Sequence, residues 1–563
     1  MQTAASNPKF YGKFVLFVAG MGGLLYGIDV GIISAALLYL GKTVDLTVRQ
    51  TSAIVAAVLG GSMFSSLIAG FLADWFGRKK MVILSGLLFV ASVLLIVLSH
   101  GFLPLFLGRM LQGVSGGVIA VVVPLYLAEC LSANTRGRGS AIFQFMLTFG
   151  IVAAALTGFF YIHQAEATIA SAAGNEALIH AAQDHAWRGM FLSVVYPGLI
   201  FFAGSFFLSE TPRWLFRQGR PADALEALRR SSSEEQAQLQ MREMEELAQE
   251  NKTKAATGVG SLLQRKYVFP FLLACLILGL NQTTGINSIL GYLAIILKQA
   301  GMSTSHATQG DLAVKILNCL MTILAVALIE KKGRKFLLTI GTGGIVIALT
   351  LAAIFFHGFE SKRMDIQSTI QARVQANHLT IAPGDLQTLA PHPSGPSALT
   401  LLYSYGGGDK LTTLTSSDPT PLTLQPEGPA PGTLTIDHAF LGPVPSEHTG
   451  WLVAACLGMF ITFYSVGPGV VVWLTLSELM PTRIRSAGMG IALLLNQGVS
   501  TLIAGIFLPV VSSSGYYAMF LTWAGLTAIY FLTAVFLLPE TKGKTLEEIE
   551  RGFERQPAPS QAV

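Results

Sequence analysis

The chain is cut into apolar stretches of about twenty residues separated by short charged or Gly/Pro-marked breaks, and the pattern runs from end to end. A stretch of that length crosses the hydrocarbon core of a bilayer once as an α-helix. Backbone N–H and C=O groups find no water there, so each crossing must satisfy its own hydrogen bonds. Composition agrees: 52% of residues are hydrophobic and only 12% are charged. A soluble globule of that balance would lack the polar surface to cover itself. The chain therefore reads as an all-α membrane protein of twelve transmembrane helices in two six-helix bundles. Those helices are expected at 14–40, 51–73, 81–99, 103–131, 139–162, 188–208, 268–297, 311–330, 336–357, 451–476, 486–511 and 515–538.

The first stretch is too long for a signal-peptide core, carries Asp29 and lacks a small-residue cleavage site, so it is read as a retained helix. Short basic loops hold Arg78-Lys79-Lys80, Arg136 and Arg138, Lys331-Lys332-Arg334-Lys335, and Arg483 and Arg485. The positive-inside rule places these loops, both termini and the 209–267 segment in the cytoplasm of a cell membrane. Residues 221–250, rich in Ala, Leu, Glu, Gln and Arg, read as amphipathic cytoplasmic helices linking the bundles. The slightly basic balance needs no nucleic-acid partner. Cys130, Cys275, Cys319 and Cys456 are scattered singly, as packing residues rather than as a disulfide or metal framework.

An internal repeat organises the charges. Asp74 and Arg78 flank a glycine at the same spacing as Glu330 and Arg334. Glu129 precedes Arg136 by seven residues and Glu478 precedes Arg485 by seven; Glu210-Thr-Pro closes the sixth helix and Glu540-Thr-Lys the twelfth. Two six-helix halves related in this way are the parallel repeat of the major facilitator fold. The repeat also locates insertions. Arg78 to Glu129 spans 51 positions and Arg334 to Glu478 spans 144, leaving 93 extra residues (144 − 51) between helices nine and ten. That extracytoplasmic segment, 357–450, is rich in Pro, Gly, Ser and Thr and reads as a β-rich or partly disordered appendage. A smaller excess in the first half is assigned to an outer loop near 165–186. The resulting divisions are 1–208, 209–267, 268–356, 357–450, 451–540 and a tail at 541–563.

Ordered motifs then carry a resemblance. Gly27-Ile-Asp29, Gly77-Arg78-Lys79, Gly108-Arg109, Pro124-Leu-Tyr-Leu-Ala-Glu129, Arg136-Gly-Arg138, Trp187-Arg188 and Ser209-Glu-Thr-Pro-Arg213-Trp214-Leu lie in the first half. Gln282-Thr-Thr-Gly-Ile-Asn287, Gly333-Arg334-Lys335, Gly467-Pro-Gly469 with Trp473, and Pro539-Glu-Thr-Lys-Gly543 follow. Together they resemble the sugar porter family over nearly the whole chain except 357–450. The resemblance implies import of a sugar by proton symport through alternating access. A proton-coupled polyol or inositol carrier, a passive sugar uniporter and a sugar sensor stand as alternatives.

Individual residues sharpen that expectation. A carboxylate inside a membrane helix is costly unless neutralised or paired, so Asp29 is a functional candidate with Arg109 as its partner. Protonation of Asp29 would release Arg109, and in sugar porters an Asp here goes with proton coupling. Amides both donate to and accept from sugar hydroxyls, which marks Gln144, Asn281, Gln282, Asn287, Asn318, Asn496 and Gln497 as substrate contacts. Trp473 offers an aromatic face for the sugar C–H surface, and Tyr26 a facing wall. Arg78, Glu129, Arg136, Glu210, Glu330, Arg334, Glu478, Arg485 and Glu540 are expected to hold the cytoplasmic side shut through a network across both bundles.

Departures from the family pattern are local. Asn281 stands where a glutamine is usual, Gly291 precedes Tyr292 where a second tyrosine would narrow the outer gate, Val470 and Val472 replace prolines, and Gln497 replaces an aromatic. Gly291 is expected to open space at that gate. Enzyme chemistry finds no support: Gly341-Thr-Gly-Gly344 lies inside an apolar helix, no histidines show metal spacing, and no Walker lysine follows a Gly-rich loop. No metal or organic cofactor is implied. The expected partners are a sugar or polyol, a proton and the lipid bilayer, with a monomer as the working unit.

Overall fold

The computed structural model describes residues 8–131, 133–172, 174–231, 233–254, 265–389, 396–416, 418, 421–426, 432–480 and 485–542. The side chains of residues 8–9, 133–138, 140, 247–254, 265–267, 330, 477 and 485–487 fall outside that description. Those of Arg136, Glu330 and Arg485 are among them, and the tail beyond 542 also lies outside the described residues.

Eleven helical segments among the described residues are long and apolar enough to cross a membrane. The last of them is interrupted at Gly515, whose φ of 84° is non-helical, so it counts as two crossings and the total is twelve. The first five spans are Pro8–Thr43, Val48–Phe76, Arg78–Val97, Phe102–Cys130 and Ala133–Ser171. The sixth is Glu176–Ser193 continued as Val195–Phe206. In the second half the seventh span is Arg265–Thr283 continued as Ile286–Gln299, the eighth Thr304–Lys332 and the ninth Arg334–Glu360. The tenth is Glu447–Val466 continued as Pro468–Leu479, and Arg485–Phe536 holds the last two.

Local chemistry explains the boundaries. Span two begins in a capping box: the Gln50 N–H donates to Thr47 Oγ1 at 3.1 Å and the Thr47 N–H to Gln50 Oε1 at 2.9 Å. Span seven breaks at Gly285, which sits in the left-handed region (φ 81°). Span ten breaks at Gly467-Pro468, where proline supplies no N–H to continue the ladder. The four glycine-rich positions 341–344 are packing surface. A Cβ on Gly341 would stand 2.7 Å from Gly467 Cα, and one on Gly344 would enter the Phe463 ring, so spans nine and ten cross in close contact there.

Two expectations change and an open alternative is resolved. The excess near 165–186 is not a loop but a helical extension: spans five and six continue past the bilayer and are separated only around residues 172–175, where Asn175 caps the next helix. Few helix breakers interrupt that Ala-rich stretch. Span eight starts at Thr304, not at 311. Ser303 Oγ caps it by accepting the His306 N–H at 3.1 Å, and Ala307 and Thr308 are buried, so capping and packing carry the helix two turns further than its weak helix formers would. The described part of the 357–450 segment takes the β-rich form of the two expected. Its strands are β1 (Met364–Asp365), β2 (Leu379–Ile381), β3 (Ser397–Ser404), β4 (Lys410–Thr415), β5 (Leu422–Leu424) and β6 (Thr435–Pro443). They form an antiparallel sheet in the order β1-β6-β3-β4 and a separate β2-β5 pair.

Alternate residues of β3 and β6 point inward, pairing Leu399 with Leu441 and Leu401 with Ala439 in register. With Ile370, Leu386 and Leu414 they make a core independent of the helices. This insertion belongs by connectivity to the second half but touches the first. The Val48 N–H donates to the Asp409 carbonyl at 2.8 Å, and Lys410 Nζ meets Asp45 at 2.5 Å. On the basic-loop side, Pro212–Arg217, Pro221–Ser231 and Glu234–Lys254 form the expected linking helices around Leu215, Ala224, Leu228 and Met241.

Candidate functional site

Glycines set the first half's charge pair. Span one lies so close to span five that a Cβ on Gly27 would sit 1.9 Å from the Leu147 carbonyl oxygen. Asp29, half a turn on, is buried with Arg109 of span four; Arg109 Nη1 donates to Asp29 Oδ1 at 3.1 Å and to Gln112 Oε1 at 2.8 Å. The guanidinium stacks over Phe191 at 5.6 Å. Gly116 leaves the room that Tyr26 and Asp29 Oδ2 occupy beside span four. Breaking such a pair by removing one partner strands a charge in a low-dielectric interior, so the pair has to lose or keep its charge as a unit. Arg109 Nε and Gln112 Nε2 are buried without a hydrogen-bond partner among the described residues.

The second half holds amides instead. Asn287 Nδ2 donates to Gln282 Oε1 (3.0 Å) and Ser500 Oγ (2.7 Å), Gln282 Nε2 to Asn496 Oδ1 (3.1 Å), and Asn496 Nδ2 to the Leu278 carbonyl (3.1 Å). Asn281 Nδ2 donates to Tyr464 Oη at 3.3 Å while its Oδ1 is buried without a partner. Asn318 Oδ1 accepts from Ser465 Oγ at 2.8 Å. Gln497 Nε2 reaches across the halves to Ser62 Oγ at 3.2 Å. The sequence-predicted residues thus fall into three groups. Gln282, Asn287 and Asn496 form one chain; Asn281 and Asn318 bind span ten; Gln497 joins span eleven to span two. Half-buried Gln144 and the 45% exposed Trp473 share no side-chain hydrogen bond or ring contact with them. Tyr464, Ser465 and Ser500 are partners that sequence reading passed over, because single hydroxyls in apolar helices carry no spacing signal.

At the basic-loop ends the repeat is realised atom by atom. Arg78 Nη2 pairs with Glu129 Oε1 (2.9 Å), and Glu129 Oε2 accepts from Thr211 Oγ1 (2.5 Å). Glu210 Oε1 accepts the Arg78 N–H (2.9 Å). In the second half Arg334 Nη2 pairs with Glu478 Oε1 (3.0 Å), Glu478 Oε2 accepts from Thr541 Oγ1 (2.6 Å), and Glu540 Oε1 accepts the Arg334 N–H (3.0 Å). Glu210 and Glu540 therefore sit at the N-termini of spans three and nine, where free N–H groups favour an anion. Gly77 and Gly333 (φ 98° and 88°) bring the backbone close enough for this, since a Cβ on either would collide with the carboxylate. Burial pushes the Glu210 carboxyl above its usual range against those same N–H bonds.

Each set of pairs among the described residues lies within its own half. Among the described residues no ion pair on the basic-loop side joins Arg78, Glu129 or Glu210 to Arg334, Glu478 or Glu540. The carboxylates of Glu129, Glu210, Glu478 and Glu540 are held, among the described residues, by arginine, threonine and backbone donors of their own bundle. The side chains of Arg136, Glu330 and Arg485, expected in the same network, lie outside the description. Contacts between the halves, among the described residues, run from the insertion-bearing side to the middle of the bundles, where Gln497 meets Ser62 and Thr148 meets Cys319. Gly291 is buried facing Val55 and Ile33, with room for a Cβ at ordinary contact distance from both (3.4 and 3.8 Å), and the seam is closed around it in this conformation. Tyr292 is fully buried and stacks on Phe507 at 4.4 Å.

A second buried charge pair went unread. Asp311 and Lys315, one turn apart on span eight, are 2% and 0% exposed and pair at 2.8 Å. A helix beginning at 311 places Asp311 at a terminus, where charge is ordinary; the true start puts it two turns inside.

Comparisons with known proteins agree with this architecture. The family model described as "Sugar (and other) transporter" matches residues 15–374 and 433–553, leaving out the middle of the insertion. The glucose transporter GlcP of Staphylococcus epidermidis is 26% identical, covering 96% of each chain. The proton myo-inositol cotransporter hmit-1.1 of Caenorhabditis elegans is 28% identical over 98% of this chain and 91% of its own. Among solved structures, the inward-open xylose transporter XylE from E. coli superimposes with a TM-score of 0.66 at 20% identity, covering 95% of this chain and 98% of its own. Twelve spans in two repeated halves, with the matched motifs seated at their bundle ends, make the chain an integral membrane transporter, not an enzyme, and it belongs to the sugar transporter family.

Proposed function

We propose that the chain imports a sugar or cyclic polyol together with a proton by alternating access, with the basic-loop side facing the cytoplasm. The buried Asp29–Arg109 pair carries the coupling reading, because it is an ionisable pair within a membrane helix bundle that metabolite binding alone does not require. Protonated Asp29 would let go of Arg109 and lower the cost of moving the bundle through its occluded state. The amide chain Asn287–Gln282–Asn496, extended by Asn281, Asn318, Gln497, Gln144 and Trp473, would exchange its internal hydrogen bonds for substrate hydroxyls. Relatives named for glucose and for proton-coupled myo-inositol transport support both substrate classes. The two saturated charge networks would join across the cytoplasmic seam when that side closes.

Uptake into proteoliposomes tests this, with hexoses, pentoses, disaccharides and polyols offered with and without an imposed proton gradient. The native chain is expected to concentrate one of them only under the gradient. Asp29→Asn is expected to keep exchange and lose accumulation. A native chain that never concentrates substrate and an Asp29→Asn chain that matches it would remove proton coupling, and failure to carry any sugar or polyol would remove the substrate class.

A further inference from the structure

The Asp311–Lys315 pair does not stop at its own helix. Lys315 Nζ also donates to the Gly31 carbonyl of span one at 3.0 Å. Asp311 Oδ1 accepts from Ser34 Oγ, one turn further along span one, at 2.9 Å. Ser34 Oγ in turn accepts the Ala294 N–H of span seven at 3.0 Å. One acid, one base, one hydroxyl and two backbone groups thus join spans seven and eight of the second half to span one of the first. Gly31 lies two residues beyond Asp29, on the segment that carries the proposed proton site.

We propose that Asp311 and Lys315 are positioning residues for transport, forming a clasp that docks on span one when the insertion-bearing side is closed and parts from it when that side opens. The inference rests on the alternating-access reading. Its physical content lies in the geometry of the pair. Asp311 and Lys315 are four residues apart on one helix, so they stay paired whichever way the halves rock, and opening strands no single charge. Only the bonds to Ser34 and Gly31 change hands, from protein to water. A seam that must release in every cycle needs contacts of this exchangeable kind. Span one is also the element whose Asp29 senses the proton, so docking at Gly31 and Ser34 ties the position of that site to closure. Asp311, Lys315 and Ser34 are buried, and among the described residues none of them shares a hydrogen bond with Gln282, Asn287 or Asn496.

Removing one partner penalises only the closed arrangement, where the other charge would be buried alone. The four native cysteines are all buried, leaving introduced exposed cysteines as labelling sites. Spin labels at Arg49→Cys and Gln309→Cys, on exposed positions either side of the seam, report its width without substrate or gradient. In Lys315→Met the closed-to-open ratio is expected to fall on the order of 100-fold, the effect of one uncompensated buried charge. Asp311→Asn should do the same. Asp311→Asn with Lys315→Met should restore most of the closed population, and Lys315→Arg should stay near native. In uptake, Lys315→Met should lower the maximal rate while leaving or improving apparent affinity from the insertion side. A single variant with native distances, or a double variant no better than either single one, overturns the clasp. If single variants fail to fold, Ser34→Ala, which keeps the charge pair and removes only the hydroxyl on which it docks, is expected to widen the distribution, and a native distribution sinks the idea. Absence of sugar uptake by the native chain would instead count against the functional reading, since the distance measurement does not need it.

Discussion

Spans two and eight are 29-residue helices related by one offset, 256 residues at both ends (304 − 48 and 332 − 76), yet they line their halves of the seam with opposite chemistry. On span two, Val55 faces Gly291 of span seven in an apolar contact. Its counterpart on span eight is Asp311, and the counterpart of Leu59 is Lys315, facing Ser34 and Gly31 of span one. The same offset carries Asp29 to Gly285, where span seven breaks against the Trp523 ring. At the basic-loop ends the halves repeat the same arginine–glutamate, glutamate–threonine and glutamate–backbone contacts; at the seam and the buried centre they differ. The repeat preserves what both halves need, which is rigid helix ends. The proposed function rests where the copies diverge: a charge pair against an amide chain, an apolar seam against a charged one.

The agreement at the helix ends is open to a direct challenge. Glu129 is 6% exposed beside a 2% exposed Arg78 side chain, whereas Glu478 and Arg334 are 17% and 9% exposed. Glu129→Ala leaves the buried Arg78 guanidinium with only the exposed Asp74 as its charge partner, at 2.7 Å, and is expected to cost about 3 kcal/mol. Glu478→Ala leaves Arg334 nearer solvent and should cost about 1–3 kcal/mol. Thermal unfolding in detergent reads both. Equal losses would mean that the two networks are energetically as well as geometrically equivalent, and that the first half has no extra dependence on its own.

The apolar seam gives the next largest effect. A Cβ on Gly291 would lie 3.4 Å from Val55 Cγ1, an ordinary contact, so Gly291→Ala should leave the seam closed. Gly291→Leu overfills it, at about 1–3 kcal/mol. The label distance across Arg49 and Gln309 should widen for leucine and not for alanine. If leucine is accommodated without widening, the span two–span seven contact is not a closing surface and the comparison of seams fails on that side.

Much of this was legible before any coordinates. Hydrophobic runs gave the number of spans because burial in lipid leaves a helix no freedom in length. The spacing from Glu129 to Arg136 and from Glu478 to Arg485 revealed the halves, and Asp29 announced its partner because a lone carboxylate in a bilayer is untenable. Asp311 escaped because its cost is hidden: Lys315 sits one turn away, and a neighbouring opposite charge makes an interior position resemble a helix end. The amides were found as residue types but not as a chain, since Gln282 and Asn496 are 214 positions apart and only packing brings them together. The insertion was visible as β-prone through its Thr/Leu alternation. Its contact with Asp45 was not, because no local pattern encodes which distant loop a sheet edge will meet.

That contact supplies the smallest and most selective test. Lys410 and Asp45 pair across the two halves just as the clasp does, but with side chains 28% and 57% exposed. Ions in solvent screen such a pair, and its worth is about 0–1 kcal/mol. Lys410→Ala should therefore narrow the closed population by less than about fivefold at low salt. At roughly 1 M salt, where the screening length is about 3 Å, it should have no effect. The clasp variant Lys315→Met should keep its effect under the same salt, because no ion reaches Asp311. Parallel salt dependence in the two variants would mean that the clasp is solvated in the closed state, contrary to its burial. Salt-independence in both would mean that the insertion holds the first half through the Asp409 carbonyl and Val48 N–H, with the ion pair contributing nothing. The backbone bond survives loss of the Lys410 side chain, so the alanine variant isolates the charge and leaves the strap itself in place.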